Sequence, residues 1–223
     1  MAYDLEEQEQ IASLQAFWNK YGNILTWVLI AVLGSYAAYN YWNYHKRNQA
    51  VGASTLYNNL QGAVEAKDNA LVQRTATDIR AKFKGSSYAQ MSALTAAKSA
   101  FDAGDLKTAK AQLEWVAANG TPEYQSIAKL RLAGVLLDEK AYDQALTLLA
   151  TPFTKEFAGA VADRKGDVLV AQNKIAEARS AYLAALAAMG QKGPGRPLVE
   201  MKLEAIGGVV PAAAAAAASK AAA

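Results

Sequence analysis

Apolar residues are distributed along this chain in three different ways. Over residues 8–21, Ile11, Leu14, Phe17, Trp18 and Tyr21 recur every three or four positions, which predicts a helix with one apolar face. Residues 21–44 contain no Asp, Glu, Lys or Arg and run through Ile24, Leu25, Val28, Leu29, Ile30, Val32 and Leu33. From residue 48 to about 189 the pattern is helical throughout, dominated by Ala, Leu, Lys, Gln and Glu. Proline is confined there to Pro122 and Pro152, and no sustained period-two alternation argues for a strand. The predicted fold class is all-α.

The uncharged stretch is long enough to span a bilayer: its 24 residues, at about 1.5 Å rise each, reach roughly 36 Å against a hydrocarbon core of about 30 Å. Trp27 and the cluster Tyr36, Tyr39, Tyr41, Trp42 and Tyr44 form an aromatic band suited to a membrane interface. A cleaved signal peptide fits poorly, because Asp4, Glu6, Glu7 and Glu9 oppose only Lys20 where a basic segment is required. A buried core helix fits poorly too, since the rest of the chain looks able to fold without it. Lys20 before the span and Lys46 and Arg47 after it vote weakly for a cytoplasmic C-terminal side. Ala31, Gly34, Ser35 and Ala38 make a small-residue stripe, read as a candidate contact face for a partner helix, with lipid contact as the alternative.

The helical body repeats. Ala97, Ala133 and Gly166 are each followed twelve residues later by Ala109, Ala145 and Ala178, and four residues after those by Leu113, Leu149 and Tyr182. The units are spaced by 36 and 33 residues. Breakers fall at Lys67-Asp68-Asn69, Gly85-Ser86-Ser87, Gly104-Asp105, Asn119-Gly120-Thr121-Pro122, Glu139-Lys140, Thr151-Pro152 and Gln172-Asn173, leaving segments of about 12 to 20 residues. Small residues that let two helices approach, with a large one filling the groove beside them, make the tetratricopeptide scheme. The match is degenerate, because Ala93, Lys129 and Ala162 stand where a tryptophan is expected. An unrelated helical-hairpin array is the alternative, and residues 48–84 supply a further, less regular helix pair.

Composition narrows the chemistry. The 223 residues include no cysteine and one histidine, His45, which excludes thiol catalysis, cysteine-ligated metal sites and Ser-His relays elsewhere in the chain. A net charge of +3, dispersed rather than clustered, excludes a nucleic-acid footprint. No phosphate loop or dinucleotide fingerprint is present, and Gly193-Pro194-Gly195 lacks the further glycine. The acidic pairs Asp102/Asp105, Asp138/Glu139 and Asp163/Asp167 read as solvated helix faces or ends rather than as catalytic or metal groups, so neither cofactor nor catalysis is expected.

Several local strings stand out: Gln10-Ile11, Phe17-Trp18 and Tyr21-Gly22 before the span, Tyr41-Trp42-Asn43 at its exit, Ser87-Tyr88-Ala89, Lys129-Leu130-Arg131-Leu132-Ala133, Ala160 to Asp167, and Met201-Lys202-Leu203. These strings and the order of parts resemble the ancillary subunit family of the bacterial SecYEG translocon over residues 8 to about 205. The resemblance implies a single-span inner-membrane protein with a cytoplasmic N-terminus and a periplasmic tetratricopeptide-like domain. It also implies partners: the SecYEG translocon, a membrane-anchored prolyl isomerase-like periplasmic chaperone, and secreted or outer-membrane client polypeptides. That orientation opposes the charge count. A cytoplasmic scaffold anchored by the same helix is the alternative.

The domain reading is a cytoplasmic amphipathic segment at 1–22, a transmembrane helix at 23–44, the repeat domain at 45–189, a linker and short capping helix at 190–206, and a disordered alanine-rich tail at 207–223. Tetratricopeptide arrays bind through the face lined by their first helices. The repeat phase places Met91, Leu94, Lys98 and Phe101 there in the first unit, Ile127, Leu130, Leu137 and Asp138 in the second, and Asp163, Asp167 and Val170 in the third. These make a candidate groove for a peptide. Leu94, Leu130 and Leu137 fit equally well as core.

Overall fold

The computed structural model describes residues 3–190 and 193–210, with side chains from residue 9 onward. Among the described residues there are nine α-helices, one 3₁₀ turn and no strand. The chain divides into two compact units, Met1–Gly52 and Ala53–Ala223. The alanine-rich stretch 211–223 lies outside the described residues.

The first unit is the part of helix α1 (Tyr3–Glu65) that ends at Gly52. The helix runs through positions 22 and 44 without a break, so the surface helix and the span predicted separately are one element. No proline occurs before Pro122, and a lone glycine costs a helix only about 1 kcal/mol. At Gly22 the Trp18 ring folds over the backbone, 3.1 Å from where a Cβ would stand.

The second unit stacks four helical hairpins and a cap. The end of α1 pairs with α2 (Asn69–Lys82), α3 (Ser87–Asp102) with α4 (Leu106–Asn119), α5 (Pro122–Asp138) with α6 (Tyr142–Leu149), and α7 (Ala158–Ala171) with α8 (Ile175–Met189). Helix α9 (Arg196–Ala205) closes the stack. Each hairpin turns through one left-handed residue: Lys67, Gly104, Lys140 and Asn173, with φ of 55°, 79°, 61° and 62°. In each, the next amide donates to a carbonyl five residues back: Asp68 to Ala63, Asp105 to Ala100, Ala141 to Leu136 and Lys174 to Leu169, at 2.8 to 2.9 Å. These bonds satisfy carbonyls that the ending helix leaves free.

All nine repeat positions read from the sequence are buried, from Ala97, Ala109 and Leu113 to Gly166, Ala178 and Tyr182. Residues 48–84 turn out to be as regular as the rest. Counting back from Lys67 puts Leu60, Val72 and Ala76 at the corresponding positions, each fully buried. The sizes are inverted, with the large residues first and the small one last, and a search for small residues at the first two positions passes over this unit.

Helix α6 has only eight residues, shorter than the predicted range. Pro152 prevents continuation, the Thr151 hydroxyl donates to the Leu148 carbonyl at 2.8 Å, and a 3₁₀ turn at Lys155–Phe157 leads into α7. At the other end, Arg196 donates to the carbonyls of Leu186 (2.9 Å) and Gly190 (3.0 Å), capping α8. Val199 and Leu203 of α9 are buried with Tyr182, Leu186 and Val210. Residues 207–210, assigned to the tail from the sequence, thus include a core side chain.

Candidate interaction surfaces

The first unit offers an apolar helix surface. Its most apolar stretch is only 6% buried. The helix is long and apolar enough to cross a membrane, and its large side chains stand exposed, Trp27 by 66% and Leu29 by 58%. Ala31, Gly34, Ser35 and Ala38 share one face by helical spacing, and all four are exposed. The Ser35 hydroxyl turns back to the Ala31 carbonyl at 2.7 Å, and a Cβ at Gly34 would meet nothing within 4 Å. The stripe is therefore a shallow face on which another helix can approach closely. Lys46 sits over the Trp42 ring at 5.5 Å and His45 stacks on Tyr41 at 6.5 Å, grouping cation and aromatics at the end of the apolar stretch.

The second unit carries a groove of about 410 Å³ on its first helices. Ala97, Lys98 and Phe101 come from α3, Arg131, Gly134, Val135 and Asp138 from α5, Arg164 from α7, and Leu113 of α4 forms part of the floor. Three of the predicted groove residues, Lys98, Phe101 and Asp138, line it. Leu94 is core at 7% exposure, and Ile127, Leu130 and Leu137 pack half-buried against the same cluster. Met91 is half-buried outside this groove.

Asp163 and Asp167 are held elsewhere. The Lys202 ammonium of α9 lies 2.8 Å from a carboxylate oxygen of each, and the Tyr182 hydroxyl donates to Asp167 at 2.9 Å. Val170 packs beside the same α9 contact, against the clusters that include Leu203 and Leu169. The expectation that this acidic pair is merely solvated is therefore replaced: it is the anchor of α9. Burial, reinforced by the Asp167 charge, pushes the Tyr182 phenol well above its ordinary value. The solvated reading does hold for Asp105, whose carboxylate is kept below its usual range by hydrogen bonds from the Thr108 hydroxyl and amide as it caps α4.

Arg131 and Arg164 are the charged groove residues that the sequence reading missed. Each stands two positions before its unit's small residue, Ala133 and Gly166, so they occupy one repeat position 33 residues apart. That coincidence is visible in the sequence once the repeat register is extended from apolar to charged positions.

Comparison with known proteins agrees with this architecture. The family described as tetratricopeptide repeat-like domain matches residues 15–208. An ancillary SecYEG translocon subunit of Neisseria gonorrhoeae is 34% identical over 92% of this chain and 100% of its own length. Proteins of the same name from Escherichia coli and Haemophilus influenzae are 30% and 28% identical, over 79% and 82% of this chain and 85% and 89% of theirs. No solved structure matches. A repeat match over most of the chain, together with a full-length relative at this identity, establishes that the chain belongs to the ancillary SecYEG translocon subunit family.

Proposed function

We propose that this protein is a membrane-anchored, non-enzymatic interaction subunit of the Sec protein-translocation machinery in the bacterial inner membrane. One observation carries the proposal: residues 21–44 hold no charge, and their large apolar side chains are exposed along α1. A surface of that length is satisfied by lipid and by neighbouring membrane helices, not by water. The relatives' name supplies the translocon as the partner. In this reading the stripe Ala31, Gly34, Ser35 and Ala38 meets a translocon helix, since small residues allow the close backbone approach on which helix association in lipid depends.

The N-terminus lies in the cytoplasm and the repeat unit in the periplasm. There the repeat unit recruits a membrane-anchored prolyl isomerase-like chaperone and secreted or outer-membrane clients, with the face of α3, α5 and α7 as the binding surface. The excess of Lys46 and Arg47 over Lys20 favours the opposite orientation, a scaffold facing the cytoplasm. Because the chain has no cysteine, single cysteines at Ala12 and Lys107 resolve the two. Labelling of intact spheroplasts with a membrane-impermeant thiol reagent at Lys107→Cys alone supports the proposal. Labelling at Ala12→Cys alone establishes the scaffold. Photo-crosslinking from position 34 then tests the partner: adducts to translocon subunits are expected, and their absence alongside adducts to other membrane proteins sinks the Sec assignment.

A further inference from the structure

The groove on the first helices has a charge arrangement that selects its occupant. Of its cations, Lys98 is matched by Asp102 at 2.5 Å, and Arg164 lies 3.4 Å from Asp167, which Lys202 already holds. Arg131 has no ion pair or hydrogen bond among the described residues, and neither has Asp138, although both line the groove and both are exposed. They lie on the same helix seven residues apart, which is two turns and about 10 Å along one face, too far for the two to pair directly. Between them the floor is apolar, made by Ala97, Leu113 and Val135, with Phe101 41% exposed at its edge. Gly134 sits midway. A Cβ there would meet only the Arg164 guanidinium, at 3.8 Å, so the glycine leaves the floor open to a close-lying backbone.

We infer that this groove binds a short extended peptide segment bearing a carboxylate and an ammonium or guanidinium group about 10 Å apart with apolar side chains between them. In a polyproline II segment three residues make one turn and advance about 9 Å, so residues i and i+3 share a face and the pattern is acidic–apolar–apolar–basic. The carboxylate forms a fork with Arg131, the cation meets Asp138, and the apolar pair covers Val135 and Phe101. The groove volume of about 410 Å³ lies in the range of ligand clefts, about 300–1,000 Å³. The inference rests on the reading of the repeat unit as an interaction module, but not on its orientation or on the translocon.

The test uses the full chain in detergent micelles and three labelled peptides identical but for a central Glu-Leu-Leu-Lys, Glu-Leu-Leu-Glu or Lys-Leu-Leu-Lys, followed by fluorescence polarisation. The wild type is expected to prefer Glu-Leu-Leu-Lys at least about tenfold. Arg131→Asp is expected to shift the preference to Lys-Leu-Leu-Lys, and Asp138→Lys to shift it to Glu-Leu-Leu-Glu. A reversal of preference cannot arise from misfolding. No binding up to about 1 mM peptide, weaker than about −4 kcal/mol, overturns the inference, as does equal binding of all three peptides. A dimer mass by light scattering that Arg131→Asp abolishes assigns the groove to a second copy of this chain and also overturns it. Because these readouts need no membrane orientation, periplasmic labelling combined with failed peptide binding removes this inference alone.

Discussion

A Cβ placed on Gly166 would stand 2.4 Å from Cε1 of Tyr182, well inside contact distance. The corresponding pairs in the two preceding units are Ala97 with Leu113 and Ala133 with Leu149, and all are buried. The third unit has exchanged a methyl group on one helix for a ring on the other. The ring also extends a hydroxyl to Asp167 at 2.9 Å, which in turn meets Lys202 of α9. One size exchange in the repeat core thus attaches the capping helix.

Gly166→Ala is expected to destabilise the repeat unit by about 1–3 kcal/mol, the range for overpacking a filled core. Adding Tyr182→Leu restores the alanine–leucine pairing of the other units. The double variant should then lose less than the two single losses summed, read from urea midpoints as a positive coupling. Simple additivity would mean that the two positions do not share space.

The raised pKa of Tyr182 sets an alkaline dependence. Its phenol is held neutral in the fold, so its contribution is complete below the ordinary tyrosine value of about 10 and is lost as pH rises through and beyond it. Tyr182→Phe removes the hydrogen bond to Asp167 at a cost of about 0.5–1.5 kcal/mol at neutral pH. The difference in Tm between wild type and this variant should shrink above about pH 10, and a constant difference would show that Tyr182 titrates normally.

Leu60 occupies the first repeat position of the first hairpin and is fully buried. Leu60→Ala should cost about 2–5 kcal/mol, as expected for truncation in a packed core. Were residues 53–82 a loosely attached extension of the array, the loss would be a few tenths of that, and a urea titration followed by far-UV circular dichroism separates the two.

Lys202 is the counter-charge of both Asp163 and Asp167, whose side chains are 19% and 17% exposed. Lys202→Met leaves two shielded carboxylates side by side, and a loss of about 1–3 kcal/mol is expected. Amide exchange should quicken in α9 before the four preceding hairpins respond, because each element of a stack is held by its neighbours. Uniform acceleration throughout the unit would refute this local role.

What the sequence determined by itself was everything carried by local periodicity. The uncharged run of residues 21–44, the turn residues at 67, 104, 140 and 173, and the small–small–large phase of three units each lie within a single helix or a single hairpin. The tertiary structure decided what depends on volume and on charges brought together from far along the chain. Leu60, Val72 and Ala76 fill the same space as Ala97, Ala109 and Leu113 in the opposite order, which matters to packing but hides the unit from a pattern of sizes. Asp163 and Asp167 look solvated until Lys202, 39 and 35 residues away, folds over them. Arg131 and Arg164 become neighbours only when α5 and α7 lie side by side. Burial is shared among all the helices around a site and electrostatics acts through space, so neither can be read from one segment at a time.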